Sequence, residues 1–359
     1  MRTVLLTLLL TVCPLLQGGW SAIYKLQLNG TGQTNFPVAL SSANNSQIAA
    51  ILSKFATTGN GGLVTSGTGA DIWITSDAAC TTPVSFERAI WTTNPAVSPG
   101  YVQFFFQATT NGTDYLCLGN PAATDQSTTA TWSASYQRVW HTPNGSTLTS
   151  PSPESTSNAD NAVLHATPTA TTSPLGGAAV FNGSSQYLSF TGVTFAQPFT
   201  VMAWINTTSI ASDTSFIGGA NGSLGFRVDN TGHPYVTRTN AADDSRATTA
   251  ISANTWVRVA MTQDSTAHCI YYINGVAASP LYASCQTAFA ANTTTVGAGF
   301  SATRFFPGAM SEIYFLSANE VANWFADDYN SQKPSSTFIT VTALATGVCS
   351  LAALGAGTC

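Results

Sequence analysis

The sequence has little charge. Only 8% of its 359 residues are Asp, Glu, Lys or Arg, and Lys and Arg together number 11. So few cations leave no basic stripe to follow a phosphate backbone and no cluster to hold an anionic bilayer. Nucleic acid and charged membrane surfaces are therefore excluded as partners. Long apolar runs are missing as well. The run from Val4 to Leu16 in "MRTVLLTLLLTVCPLLQGGWSA" is too short to cross a bilayer as a helix. It follows one positive charge at Arg2 and precedes small residues, which is the layout of a secretory signal peptide. Residues 1–22 are expected to be that signal, with a secreted, extracellular mature protein behind it.

The sequence also lacks the usual catalytic signatures. It contains no Gly-x-Ser-x-Gly, no His-Glu-x-x-His, no phosphate-cradling glycine loop and no EF-hand loop. His141, His165, His233 and His268 are isolated from one another and are read as structural or surface histidines. A glycosidase needs two carboxylates facing one cleft. Here Glu312 has no acidic residue at i±2, and Asp243-Asp244 sit side by side in a polar loop. Nothing singles out an enzyme, and a polysaccharide-degrading activity stays only as an alternative.

Strand patterns are plentiful. "IYKLQLNG", "ADIWITSD", "FTVMAWIN", "TWVRVAMTQ" and "SEIYFLS" alternate or run apolar and end at Gly, Asn, Asp or Ser. In "YYINGVA", Asn274-Gly275 predicts a type I′ hairpin. Helical signals are few. Ser317 and Glu320 form a capping-box pattern ahead of "VANWFADDY", and Ser46 to Phe55 is a second short candidate. The expected fold class is all-β, with two β-sandwich domains. A Pro/Ser/Thr-rich stretch over 142–176 marks a boundary. The parts are then an N-terminal β-domain over 23–145, a linker and first jelly-roll segment over 146–176, a second sandwich over 177–332, and a tail over 333–359. Whether that tail closes a loop or frays stays open.

After removal of Cys13 with the signal, six cysteines remain in sequence-local couples. Export permits disulfides 80–117, 269–285 and 349–359, which involve Cys80, Cys117, Cys269, Cys285, Cys349 and Cys359. A zinc site is the rival reading, but no CxxC or His couple supports it.

From Gly177 to Gln332 the sequence resembles the laminin-G-like, concanavalin-A-like jelly-roll domains. The resemblance rests on "GGAAVFNGSSQYLSF", "FTVMAWINTT", "TWVRVAMT", "YYINGVAAS" and "FFPGAMSEIYFLSANEVANWF", in that order. From Trp20 to His141 it is similar to an uncharacterised β-domain of secreted prokaryotic and phage proteins, through "NFPVAL", "ATTGNGGLV", "GADIWITSDAACTTPVSFE" and "RVWH". The resemblance implies a binding or adhesive role and no established activity. Some laminin-G-like domains hold calcium near a Phe-Asp-Gly and an Ile-Asp-Glu position. Those positions carry Asn182 and Ser311 here, with Glu312 retained, so Asn182 and Glu312 are the candidate ligands of a structural Ca2+.

Sugar recognition uses aromatic faces together with amides and carboxylates. Tyr187, Asn221, Asn230, His233 and Tyr235 are the candidate ligand-binding residues, while Trp204 and Trp256 are expected in the core. The expected function is a secreted non-catalytic binding protein for a glycan or a cell-surface protein. A structural or adhesive surface or virion protein is the alternative. Asn182-Gly183-Ser184-Ser185 is expected as the turn of the first strand pair. It is also a sequon, but the turn reading is preferred, and a glycan is the alternative only in a eukaryotic secretory pathway.

Overall fold

Strands that read as continuous apolar runs are those covered on both faces. In the computed structural model, which describes residues 19–346 apart from 34–35, 110–111, 143–147, 149, 151, 220–224, 238–244, 267, 279–282, 285–288 and 300–301, Phe199–Thr207 is buried throughout except at Asn206. Its Val201, Ala203 and Ile205 enter one hydrophobic core, while Met202 and Trp204 enter another. Val257–Gln263 and Pro307–Leu316 divide in the same way, with Met261 and Phe315 on one side and Ala260 and Tyr314 on the other.

These three strands lie in a nine-stranded antiparallel sheet. It packs face to face with a seven-stranded sheet running from Ser245–Arg246 to Val163–His165. Between them sits the first core, which includes Trp140, Phe181, Phe190, Phe216 and Phe226. The second core covers the outer face of the nine-stranded sheet. There it meets a four-stranded sheet (Ile339–Thr346, Ala22–Leu28, Thr113–Leu118, Ile72–Thr75) and a three-stranded sheet of Pro37–Ser41, Gln103–Gln107 and Phe86–Ile90. The fold class is all-β, as the sequence predicts.

Two strands tie the N-terminal sheets to the sandwich. Tyr136–Trp140 pairs antiparallel with Pro307–Leu316, setting Trp140 opposite Ile313. Ile339–Thr346 returns to pair with Ala22–Leu28, so the described part of the tail, residues 333–346, ends in a strand and does not fray. Between them the helix Ala322–Gln332 buries Trp324, Phe325, Asp327 and Asp328. Its N-cap is Val321, with no side-chain cap bond, so the capping box expected at Ser317 and Glu320 does not form. The residues after Ser317 stay out of the helix, and Ser317 instead donates its N–H to Ser135 O at 2.7 Å. The other helix is short. Asn45 Oδ1 caps Ser46–Ala50 by accepting from the Gln47 and Ile48 amides, and a 3-10 turn follows over Leu52–Phe55.

Turn chemistry fares well at Asn274-Gly275, where φ of 53° and 76° closes the hairpin between His268–Ile273 and Val276–Ala277. It misleads at Asn182. Gly176–Asn182 lies in the nine-stranded sheet and Tyr187–Phe195 in the seven-stranded one, so Asn182 to Ser185 arches between sheets instead of joining paired strands.

The Cys80–Cys117 disulfide is present, with Cα atoms 6.3 Å apart. Cys269 is disulfide-bonded; its expected partner Cys285 lies outside the described residues, as do Cys349, Cys359, Asn221 and residues 1–18. Cys80 and Cys117 are separated by 37 residues. Replacing both by Ala is expected to remove roughly 3–4 kcal/mol of stability by freeing that loop in the unfolded chain. Urea unfolding of the variant beside the oxidised wild type measures it, and an unchanged midpoint and slope would contradict it. No helix among the described residues is long and apolar enough to cross a membrane.

Candidate functional site

The seven-stranded sheet leaves its outer face free of the N-terminal sheets, and one row of that face carries polar side chains. Ser215, Arg227, Tyr235 and Arg246 lie opposite one another across four neighbouring strands. Because strand side chains alternate, Phe226, Val228 and Val236 point the other way into the core. Next to Arg246 the turn Asp229-Asn230-Thr231-Gly232 closes the hairpin, with Gly232 at φ 86°. Asp229 Oδ1 builds this turn. It accepts from the Thr231 amide at 2.7 Å, the Thr231 hydroxyl at 2.7 Å and the His233 amide at 2.9 Å.

A cavity of about 400 Å³ opens here, lined by Ser212, Asp213, Asp229, Asn230, Tyr235 and Arg246 together with Ala211. Arg246 Nη1 reaches Asp229 Oδ2 at 2.7 Å, and Arg304 Nη1 reaches Asp213 Oδ2 at 2.8 Å. Tyr235 donates its hydroxyl to Asp213 Oδ2 at 2.6 Å. Burial first, and then the Asp213 carboxylate, push the Tyr235 phenol up to about 12. Burial alone would raise Asp229, but the Thr231 and His233 donors and Arg246 hold it below the usual carboxylate range. The cavity therefore presents two aspartate side chains, a guanidinium, an amide and hydroxyls. That set can hydrogen-bond a hydroxyl-rich molecule from several sides.

The predicted ligand residues divide. Asn230 and Tyr235 line the cavity, and His233 stands at the end of the same turn with its Nδ1 on the Thr231 hydroxyl at 2.8 Å. The Asp-x-Thr-x-His pattern recurs at Asp264-Thr266-His268 with the same amide and hydroxyl bonds, away from both described cavities. The bonds that His233 makes are thus turn chemistry. Tyr235 offers no free face, since it is 2% exposed and the Arg246 guanidinium sits 5.6 Å above its ring. Tyr187 lies toward the opposite edge of the sheet, stacked on His165 at 4.1 Å.

Asn182 and Glu312 are not brought together. Asn182 pairs with Pro307, five residues along the strand from Glu312, and its Oδ1 accepts from the Ser184, Ser185 and Gln186 amides. Among the described residues no group of three or more His, Cys, Asp or Glu could hold a metal. Asp213, Arg246 and Arg304 escaped the sequence reading because they meet only through strand register and a loop. The scarcity of Lys and Arg was the one available signal.

Glu312 belongs to a second cluster, at the seam between the N-terminal sheets and the sandwich. It sits at φ 47°, where the pairing of Phe199–Thr207 with Pro307–Leu316 slips between Met202 and Trp204. A bulge of this kind re-aims a side chain. The carboxylate takes His141 Nδ1 at 2.6 Å, Tyr314 Oη at 2.7 Å and Gln103 Nε2 at 2.7 Å. His141 Nε2 meets Glu87 at 3.3 Å, and the ring stacks on Phe105 at 4.5 Å.

Burial alone would lower the His141 pKa, but Glu312 and Glu87 raise it to about 10. Burial would raise Glu312, and its cationic partner and three donors hold it below its ordinary value. Neither residue lines either described cavity. Glu312, the His141 imidazolium and Glu87 fixed in this way join two parts of the fold. Trp204, 1% exposed, is in the core as expected, and Trp256 is packed against it.

No curated protein matches the sequence. Among solved structures, the chain is similar to domain 4 of AbnA, a GH43 extracellular arabinanase from Geobacillus stearothermophilus solved with arabinotriose. The identity is 16%, over 54% of this chain and 97% of that one, with a TM-score of 0.43. It is also similar to the botulinum neurotoxin serotype D binding domain at 11% identity and a TM-score of 0.43. That match covers 55% of this chain and about half of the other, 52%. Residues 182–322 match the family described as the Concanavalin A-like lectin/glucanases superfamily, of laminin-G type. With two packed antiparallel sheets over the same stretch, the C-terminal part of this protein carries a laminin-G-like, concanavalin A-like jelly roll.

Proposed function

We propose that the protein is a secreted, non-catalytic binding protein whose jelly roll recognises carbohydrate at the polar cavity on its outer sheet. One observation carries the reading. In a chain with so few charges, Asp213, Asp229 and Arg246 converge on one hollow beside Asn230, and Arg304 pairs with Asp213. Both carboxylates are already engaged by guanidinium or phenol, which suits holding sugar hydroxyls better than moving protons. Aromatic stacking contributes little, because Tyr235 is covered. Selectivity then rests on hydrogen bonds, each modest and dependent on the cavity's shape.

A broad glycan array, run with and without EDTA, tests this. A glycan signal that survives chelation is expected, and calcium dependence would show a metal mode that this cavity does not supply. Arg246→Ala should weaken the strongest array ligand by about tenfold or more, because it removes a charged donor and frees Asp229. Isothermal titration measures the loss. A silent array, or an Arg246→Ala variant that binds as well as wild type, would sink the assignment.

A further inference from the structure

A second cavity, of about 410 Å³, lies at the opposite part of the molecule's fold plan, where Ala22–Leu28 ends against the helix Ala322–Gln332. Its apolar wall includes Leu28, Val38, Phe36 and Phe338, and among the described residues Asp327 is the one charged side chain lining it. Asp327 is held in place, with Oδ2 accepting from the Thr31 amide at 2.8 Å and the Thr31 hydroxyl at 2.6 Å. No ion pair found among the described residues includes it. Successive helix positions explain the contrast with its neighbour. Asp328 turns to the sandwich and meets Arg258, while Asp327 turns to the cavity and meets no cation.

A second carboxylate stands close by. Asp114 is fully buried, and its Oδ2 accepts from the amide of the wall residue Thr109 at 3.1 Å. Its Oδ1 has no hydrogen-bond partner among the described residues. Burial dominates its donors and pushes the Asp114 carboxyl up to about 6. A hollow of small-molecule size, lined by the Asp327 carboxylate and two aromatic rings and backed through Thr109 by buried Asp114, thus has no Lys or Arg among its described lining residues. Aromatic faces and carboxylates attract the same kind of group, a cation.

We infer that this cavity is a binding site for a small organic ammonium compound, with its apolar body against Phe36, Phe338 and Val38 and its charged head at Asp327. The site shares no residue with the carbohydrate cavity and stands or falls independently of it.

Three matched probes test the assignment on the full chain: benzylamine, benzyl alcohol and benzoate, titrated while the methyl resonances of Leu28 and Val38 are followed. Benzylamine is expected to saturate those shifts at least about tenfold more tightly than benzyl alcohol, with no saturable response to benzoate. Asp327→Asn keeps an acceptor for Thr31 and removes the charge. It should bring benzylamine down to the affinity of benzyl alcohol. Equal affinities in the wild type, shifts centred elsewhere, or a preference that survives Asp327→Asn each overturn the inference. The wild-type comparison decides even if the variant does not fold.

Discussion

Glu312→Ala is expected to destabilise the protein by about 3–5 kcal/mol, the range for breaking a buried ion pair by removing one partner. The loss has identifiable parts. His141 is left an imidazolium with only Glu87 at 3.3 Å, and the Gln103 amide and Tyr314 hydroxyl lose their acceptor in a buried site. Alanine keeps the positive φ of 47°, so no strain is released. Glu312→Gly loses the same carboxylate but adopts that conformation freely. It should therefore be less damaging than Glu312→Ala by about 1 kcal/mol. Urea unfolding of both variants measures the two effects, and equal losses would mean that the bulge carries no strain at this residue.

The same cluster sets a pH window. His141 has its folded pKa raised to about 10, so its stabilisation is complete below the ordinary histidine value and fades as pH rises through about 10. Glu312 has its folded pKa lowered, so its contribution is complete above the ordinary glutamate value and fades as pH falls through the lowered one. Stability should peak between those two ordinary values and decline on the alkaline side. In Glu312→Ala the alkaline decline should flatten, because the first partner that raised His141 is gone.

The sequence makes some of this legible and hides the rest for a physical reason. The Asn274-Gly275 hairpin and the strand runs are local, and local turn and alternation rules find them. Glu312 was noticed because its position often carries an acid in relatives, and was therefore read as a metal candidate. Its actual role depends on a bulge in a strand 171 residues from His141 along the chain, which alternation rules cannot anticipate. The run "FTVMAWI" reads as a strand with Trp204 in the core, without saying that both of its faces are covered or by what. The answer is an N-terminal sheet and a helix whose Asp327 and Asp328 look in two directions. Likewise Asp213 meets Tyr235 and Arg304 only because strand register and the loop before Pro307 bring them together, while Asn230 and Tyr235 were visible as turn and strand residues.

Arg258→Ala should be as damaging as Glu312→Ala, at about 3–5 kcal/mol, and its double-variant partner separates two readings of the seam. Arg258 binds Asp328 through Nε at 2.7 Å and Nη2 at 3.1 Å, donates Nη1 to Glu312 O at 2.6 Å, and lies 4.7 Å over the Tyr314 ring. Truncation strands Asp328, 3% exposed, with only the Gln332 amide at 2.6 Å to hold it. Arg258 stays charged at any working pH, so the informative partner is Asp328. Burial, with Glu312, raises the Asp328 pKa against the pull of Arg258. A raised folded value stabilises the protein fully only below the ordinary aspartate pKa, and that contribution is lost as pH rises through the folded value. Both charges are buried, so their attraction is set against the desolvation of each. Arg258→Met with Asp328→Leu is accordingly expected to recover most of the single-variant loss, since well-packed apolar side chains avoid the desolvation of two charges. If the double variant unfolds as readily as Arg258→Ala, the seam depends on the Nη1 bond to Glu312 O and the Tyr314 contact more than on the ion pair.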